Sequence, residues 1–282
     1  MELIVKQRTS SFGNTKGQKL FFRNWLTDSK PKGIVLIVHG LNSHSAYYHN
    51  FALELNKSQY EVYALDLPGR GLSEGERYYI HDYKEIIANI DQLLNIIQMA
   101  HPGVPVILLG HSAGGVFAAV YALKHQEKLM GFVCESFAFR IPAPGFALAA
   151  MKLLGYIIPR VKLIKLNNDF FSRDKSIVYK INHDPLVKDE KQPARTMQQL
   201  LYACNYLKKN MAGIKLPLFI IHGTADKVTM PAGSKYFIEH ASSPDKRLKF
   251  YEGHYHDLLN DKYNDMVIRD IIRWINGIVS TQ

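Results

Sequence analysis

The sequence predicts an α/β fold, with a mostly parallel central sheet flanked by helices and an inserted helical cap. Five short runs rich in leucine and β-branched residues are apolar almost throughout, as strands covered on both faces are. Stretches with apolar residues at helical spacing lie between them, and strands alternating with helices build parallel sheets. The alternation breaks once, from about residue 138 to 207, where helical patterns continue without a convincing strand.

Taken in order, segments 2–9 and 18–26 flank "SSFGNTKG" and read as an antiparallel hairpin. The buried strands follow as "GIVLIVHG" (33–40), "YEVYALDL" (60–67), "VPVILLGH" (104–111), "MGFVCES" (130–136) and "LPLFIIHG" (216–223). A sixth, "RLKFYEG" (247–253), alternates more. Residues 83–99 set Ile86, Ile87, Ile90, Leu93, Leu94 and Ile97 on one stripe; 113–125, 231–241 and 264–279 behave similarly. Helical patterns near 146–157 and over 195–209 fill the break. The expected layout is core 1–137, helical cap or lid 138–207, and core 208–282.

The chain has 282 residues, 47% of them hydrophobic, enough for a sizeable core in one domain with an insertion or in two small domains. The net charge of +10 comes from scattered Lys and Arg with no nucleic-acid-binding motif, so no nucleic-acid partner is expected. A basic surface attracted to an anionic membrane is the functional reading of that charge. The N-terminus lacks the long apolar region of a signal peptide. No stretch reaches the uncharged apolar length of a membrane span; the nearest, 141–159, carries Lys152 and prolines near its ends. Cys134 and Cys204 have no metal spacing and read as buried thiols. A cytoplasmic protein, associated at most peripherally with membrane, is expected.

The chemistry centres on "VILLGHSAGG" (106–115). Gly110-His111-Ser112-Ala113-Gly114 matches G-x-S-x-G between a buried strand and a helix of small residues, the setting of a nucleophile elbow. The turn is so sharp that side chains two before and two after the serine would collide, and glycine leaves room. Ser112 is the candidate nucleophile, and the Ala113 N–H at the helix start is a candidate donor to a developing oxyanion. The second donor belongs after the first buried strand, where "HGLNSH" offers the Leu41 N–H.

A serine hydroxyl needs a base, and the base an orienting acid, both later in the chain. "HGTADKV" supplies Asp226 after one strand, with Glu135, at the end of another, as rival. "GHYHDLLND" supplies His254 and His256; the second is better placed to reach back, but the residues alone leave both open. No carboxylate or cysteine set surrounds this His pair, so no metal is expected. His39 and His111 read as hydrogen-bonding scaffold, Asp66 as a tie for backbone N–H groups in "LDLPGRGLSEG", and Asp257 and Asp261 as loop residues.

These segments, in this order, resemble the monoacylglycerol lipase and lysophospholipase branch of the α/β-hydrolase superfamily. "SRDKSIVYKINHDPLV" (172–187) resembles its cap. The resemblance implies Ser112, Asp226 and His256 as catalytic residues, with His256 chosen over His254 as the last residue of a YEGxYH pattern. It also implies Leu41 and Ala113 as oxyanion donors. The family pattern HGxGEHxxRY carries Glu and Arg where this chain has Ser43 and Tyr47. The family's cap tyrosine is Ile181 here, and a second histidine after the catalytic one is Leu259. These four are the candidate substrate-binding positions, at the glycerol end. Within 141–167, apolar bulk joins Lys152, Arg160, Lys162 and Lys165, which suits an interfacial helix or a lid over an acyl-chain tunnel. The expected activity is hydrolysis of a lipid-like carboxylic ester through an acyl-enzyme, with no cofactor. Short-chain esterase or thioesterase activity and an α/β-hydrolase-fold receptor are the alternatives.

Overall fold

Eight strands form one sheet in the order β1-β2-β4-β3-β5-β6-β9-β10 in a computed structural model that describes residues 6–280. β1 (Lys6–Gly13) and β2 (Lys19–Leu26) are antiparallel to their neighbours. β3 (Gly33–Val38), β4 (Tyr60–Leu65), β5 (Val106–His111), β6 (Gly131–Glu135), β9 (Leu218–Gly223) and β10 (Lys246–Tyr251) run parallel. α1 (His49–Lys57) and α8 (Asn264–Val279) cover one face, and α2 (Tyr83–Ala100), α3 (Ser112–His125) and α6 (Ala194–Asn210) the other.

Strands β3, β4, β5, β6 and β9 are buried throughout, which is why their sequences are not amphipathic. Alternation persists within the apolar runs. Leu36, Val38 and Leu108 join the cluster under α2, α3 and α6, whereas Val35, Ile37, Ile107 and Leu109 join the one under α1 and α8. β10 has one neighbour and is mostly exposed, matching its weaker apolar pattern.

The hairpin departs from expectation. Residues 2–5 lie outside the described ones, and β1 continues through Ser10–Gly13, pairing Ser11 with Phe21. The turn is confined to "NTKG", where Asn14 Oδ1 accepts the N–H groups of Lys16 (3.0 Å) and Gln18 (2.9 Å) and Gly17 takes φ +75°. An Asx turn closes the hairpin, so the serines are free to pair as an exposed strand.

Between β6 and β9 the chain forms α4 (Gly145–Ile157), α5 (Lys175–His183) and α6. It also forms a small antiparallel ladder of β7 (Lys162–Ile164) with β8 (Gln192–Pro193), which the sequence did not signal because both strands are very short. The buried face of α6 joins the main core through Met197, Leu200, Ala203 and Leu207. α7 (Pro231–His240) follows β9. The parallel strands bring the loops after β3, β5, β6, β9 and β10 to one edge of the sheet, where open α/β sheets bind ligands.

Candidate active site

Ser112 is the first residue of α3 and sits at φ +55°, a left-handed conformation that non-glycine residues adopt at a cost. The neighbouring glycines make room for it. A Cβ on Gly110 would lie 2.6 Å from Gly115 Cα, and one on Gly40 would lie 2.9 Å from Ser112 Cβ. A Cβ on Gly114 would strike the carbonyl oxygens of Val38 and His39. The clearance at Gly114 is therefore required by β3, and Gly110 faces Gly115 across the turn.

The buried Ser112 Oγ lies 2.8 Å from His256 Nε2, and His256 Nδ1 lies 2.8 Å from Asp226 Oδ2. A carboxylate only accepts, so Nδ1–H donates to Asp226 and Nε2 accepts the serine hydroxyl. Asp226 Oδ1 also accepts the N–H groups of Val228 (2.7 Å) and Thr229 (3.0 Å), and Oδ2 accepts the Thr229 hydroxyl (2.7 Å). Burial raises the pKa of this carboxyl, but the His256 and His222 rings and their hydrogen bonds outweigh it and hold it well below the ordinary carboxylate range. Asp226 is thus a fixed anion at neutral pH.

Two members of this cluster escaped the sequence reading. His222, on β9, approaches Asp226 Oδ2 at 3.0 Å through Nε2 and Ser234 Oγ at 2.7 Å through Nδ1. Thr229 completes the cradle. Within an apolar strand, His222 reads like any core histidine; only its place four residues before the acid hints at a shared carboxylate.

The rival residues are occupied elsewhere. Glu135 Oε1 accepts the Leu259 N–H at 3.1 Å, and burial followed by the nearby Asp257 pushes its carboxyl pKa well up. His254 lies beside Asp261, with Nδ1 to Oδ2 at 3.4 Å. Asp261 also accepts from Arg173 Nε (2.8 Å) and the Arg173 N–H (2.7 Å), tying the His256 loop to the segment before α5. His39 Nε2 accepts the Leu67 N–H at 3.0 Å, its Nδ1 faces Gly40 O at 2.7 Å, and burial lowers its pKa to about 4. Asp66 accepts the N–H groups of Ser45 (2.7 Å) and Leu72 (2.9 Å), as expected of a loop tie. The His111 ring lies 5.0 Å from the His256 ring, and burial keeps it neutral. Ligand atoms of His111, Glu135 and Asp257 lie within 4.8 Å of one another.

Leu41 and Ala113 are buried, and neither N–H donates a hydrogen bond among the described residues. The first N–H groups of a helix have no partner within it, which accounts for Ala113. Of the four candidate binding positions, Tyr47 and Ile181 come together in one buried cluster with Phe171 and Val187. The Tyr47 hydroxyl donates to Asp184 Oδ2 at 3.0 Å. Ser43 is buried, four residues before Tyr47 in the chain. Leu259 packs on the opposite side, in the core under α1 and α8.

A cavity of about 400 Å³ opens below α4, lined by Phe139, Ile141, Leu148, Leu200 and Leu201, with Arg140 and Lys152 at its polar parts. A hydroxyl, an imidazole and a fixed carboxylate in line can deliver an alkoxide to a carbonyl carbon and return the proton to a leaving group.

Sheet order, elbow and Ser–His–Asp geometry define an α/β-hydrolase. The model of the hydrolase family described as serine aminopeptidase, S33, matches residues 29–263, and the chain belongs to this family. It is 30% identical to the monoacylglycerol lipase of Mycolicibacterium smegmatis over 94% of this chain and 95% of that one. It is 32% identical to the monoglyceride lipase of Rattus norvegicus, over 93% and 88% respectively. The crystal structure of Paleococcus ferrophilus monoacylglycerol lipase superposes with a TM-score of 0.81 at 30% identity, covering 98% of this chain and all of that one. Family and fold together make the protein a serine hydrolase of carboxylic esters.

Proposed function

We propose that the protein hydrolyses esters of long aliphatic acids with a small polar alcohol, of the monoacylglycerol type, with Ser112 as nucleophile, His256 as base and Asp226 as orienting acid. The observation that carries this is the unbroken chain from Ser112 Oγ through His256 to Asp226, at 2.8 Å for each link, beneath a strained elbow. Ser112 Oγ bonds to the ester carbonyl carbon as its proton passes to His256 Nε2. The oxyanion is received by the N–H groups of Leu41 and Ala113. The carbon–oxygen bond to the alcohol breaks, and the alcohol leaves with the proton from His256. Water, deprotonated by His256, then releases the acid and restores Ser112. No step calls for a cofactor.

A long acyl chain is supported by the apolar cavity below α4, and the glycerol ester by the likeness to a monoacylglycerol lipase and a monoglyceride lipase. Residues 138–207 serve in this reading as cap, with the cavity as acyl site. Phe146 is 80% exposed and Ile157 65% exposed on α4, and Arg160, Lys162 and Lys165 follow in the chain. Apolar side chains beside cations favour contact with an anionic membrane surface, from which such a substrate would be drawn. No described helix is long and apolar enough to cross a membrane.

The test is turnover of glycerol and p-nitrophenyl esters of increasing chain length by wild type and Ser112→Ala, with fluorophosphonate labelling. Labelling at Ser112, loss of turnover in the variant and a maximum at long chains are expected. Absence of labelling and turnover in the wild type would remove the nucleophile assignment. A maximum at acetate or butyrate would replace the lipid reading with a short-chain one.

A further inference from the structure

Asn42, the residue after Leu41, takes φ +51° and is buried. Glycine occupies such positions at little cost, and the pattern this loop resembles has glycine there; asparagine is the side chain that tolerates the conformation best. Its amide does not turn back to its own loop. Nδ2 donates to Asn168 Oδ1 at 2.8 Å, and Oδ1 accepts from Gln192 Nε2 at 3.3 Å. Both partners lie between β6 and β9, at either end of the 168–192 segment. Asn168 is held in turn by Asn182 Oδ1 (2.9 Å). Gln192 is held by Glu190 Oε1 (2.8 Å) and Arg70 Nη2 (2.9 Å), and Arg70 Nε meets Glu190 Oε1 at 3.2 Å. Asn42, Asn168, Gln192, Glu190 and Arg70 are all buried. Freeing one member would strand polar atoms away from water, so the network has one preferred arrangement.

The same two stretches of chain are tied a second time. His44 Nε2 and the Tyr47 hydroxyl both meet Asp184 Oδ2, at 2.8 and 3.0 Å. The loop after β3 is therefore fastened to the 168–192 segment on both sides of residue 43.

We propose that Asn42 is a positioning residue for the hydrolysis: through it, the 168–192 segment holds the backbone from which the Leu41 N–H meets the oxyanion. This rests on the assignment of Leu41 and Ala113 as oxyanion donors. The physical ground is preorganisation. An N–H at a tight turn stabilises developing charge only while it stays aimed at the place where the oxyanion forms, and small displacements forfeit much of its effect. Ala113 is fixed by its helix. Leu41 lies in a loop of irregular backbone, and the Asn42 amide bonds are what tie that loop to Asn168 and Gln192.

The experiment compares Asn42→Gly, whose backbone suits φ +51°, with Asn168→Ala, which cuts the same bond from outside the loop. Each variant, and the double variant, is assayed on a soluble short-chain ester too small to need the cap. Each is also titrated with an alkyl trifluoromethyl ketone, whose Ser112 adduct carries an oxyanion, and with the product carboxylic acid. Both single variants should lose about tenfold or more in kcat, less than the full loss of a donor, with KM little changed. Affinity for the ketone should fall by the same factor and affinity for the acid should hold. The double variant should be no worse than Asn42→Gly. The proposal is overturned if kcat stays within about twofold of wild type. It is also overturned if ketone and acid affinities fall together, which is how general loosening of the fold would act. Fluorophosphonate labelling of wild-type Ser112 is scored first. Its absence defeats the nucleophile assignment itself, whereas labelling with unimpaired variants defeats only the role of Asn42.

Discussion

Ser112 holds its hydroxyl at the sheet edge by occupying φ +55°, and a non-glycine residue in that region costs about 1–3 kcal/mol. Activity and stability therefore pull in opposite directions at this residue. Ser112→Gly should abolish turnover yet unfold at a higher temperature than Ser112→Ala, with a gap of about 1 kcal/mol from relief of the left-handed strain. Thermal denaturation of the two inactive variants checks this; equal or inverted stabilities would mean that the elbow stores no such strain. The serine was legible because glycine, serine and small residues follow an apolar strand, a pattern set by local sterics. Asp226 was legible by chain order, which left His254 and His256 both open; the resemblance to the YEGxYH pattern singled out His256. His222 and Asn42 were not, because their roles arise from partners brought close by the fold: Asp226 across a strand end for His222, Asn168 and Gln192 for Asn42.

At the scale of elements, the long buried strands and amphipathic helices were readable because burial on two faces or one stripe leaves a period in the sequence. β7 and β8 were not, since three residues and two residues carry no period. α4 conflicts with its own surroundings. It is the most apolar of the described helices, yet Phe146, Leu153, Tyr156 and Ile157 face outward and only Gly155 of the helix is buried. A helix apolar all round is stable in water only if something else covers it. On the proposed membrane reading, Phe146→Ser with Ile157→Ser removes two side chains each worth about 1.5–3 kcal/mol when fully buried. Co-sedimentation with anionic vesicles should then weaken about tenfold or more, while turnover of a dissolved short-chain ester is kept. Unchanged sedimentation would leave the outward face of α4 without a lipid partner.

Across the whole molecule, the buried histidines nearest Ser112 share one end of the sheet with buried carboxyls. His39, His111, His222 and His256 are buried at the carboxyl edge of the sheet together with Glu135, Asp257 and the Asp226 side chain, and a second buried set, Arg70 with Glu190, lies in the network that holds Asn42. The sequence placed most of these residues after strands, but could not say that the carboxyls of Glu135 and Asp257 would share a site. Asp226 is balanced by two imidazoles, whereas Asp257 is not. Burial lifts the Asp257 pKa from 3.8 to about 6, against the hydrogen bond from Asn260 and the attraction of His256; Asp261 adds to the rise. The groups facing it are Glu135, whose pKa is raised as well, and His111, which burial keeps neutral. Between 3.8 and about 6 the folded chain therefore keeps a proton that the unfolded chain releases. Its stabilising contribution is complete below 3.8 and is lost as pH rises through about 6. Asp257→Asn keeps an oxygen for Asn260 and removes the titration. Its melting temperature relative to wild type should climb as pH is raised from about 4 to about 7, then level off. A difference that stays flat, or falls, over that range would show that Asp257 ionises as easily inside the fold as outside it.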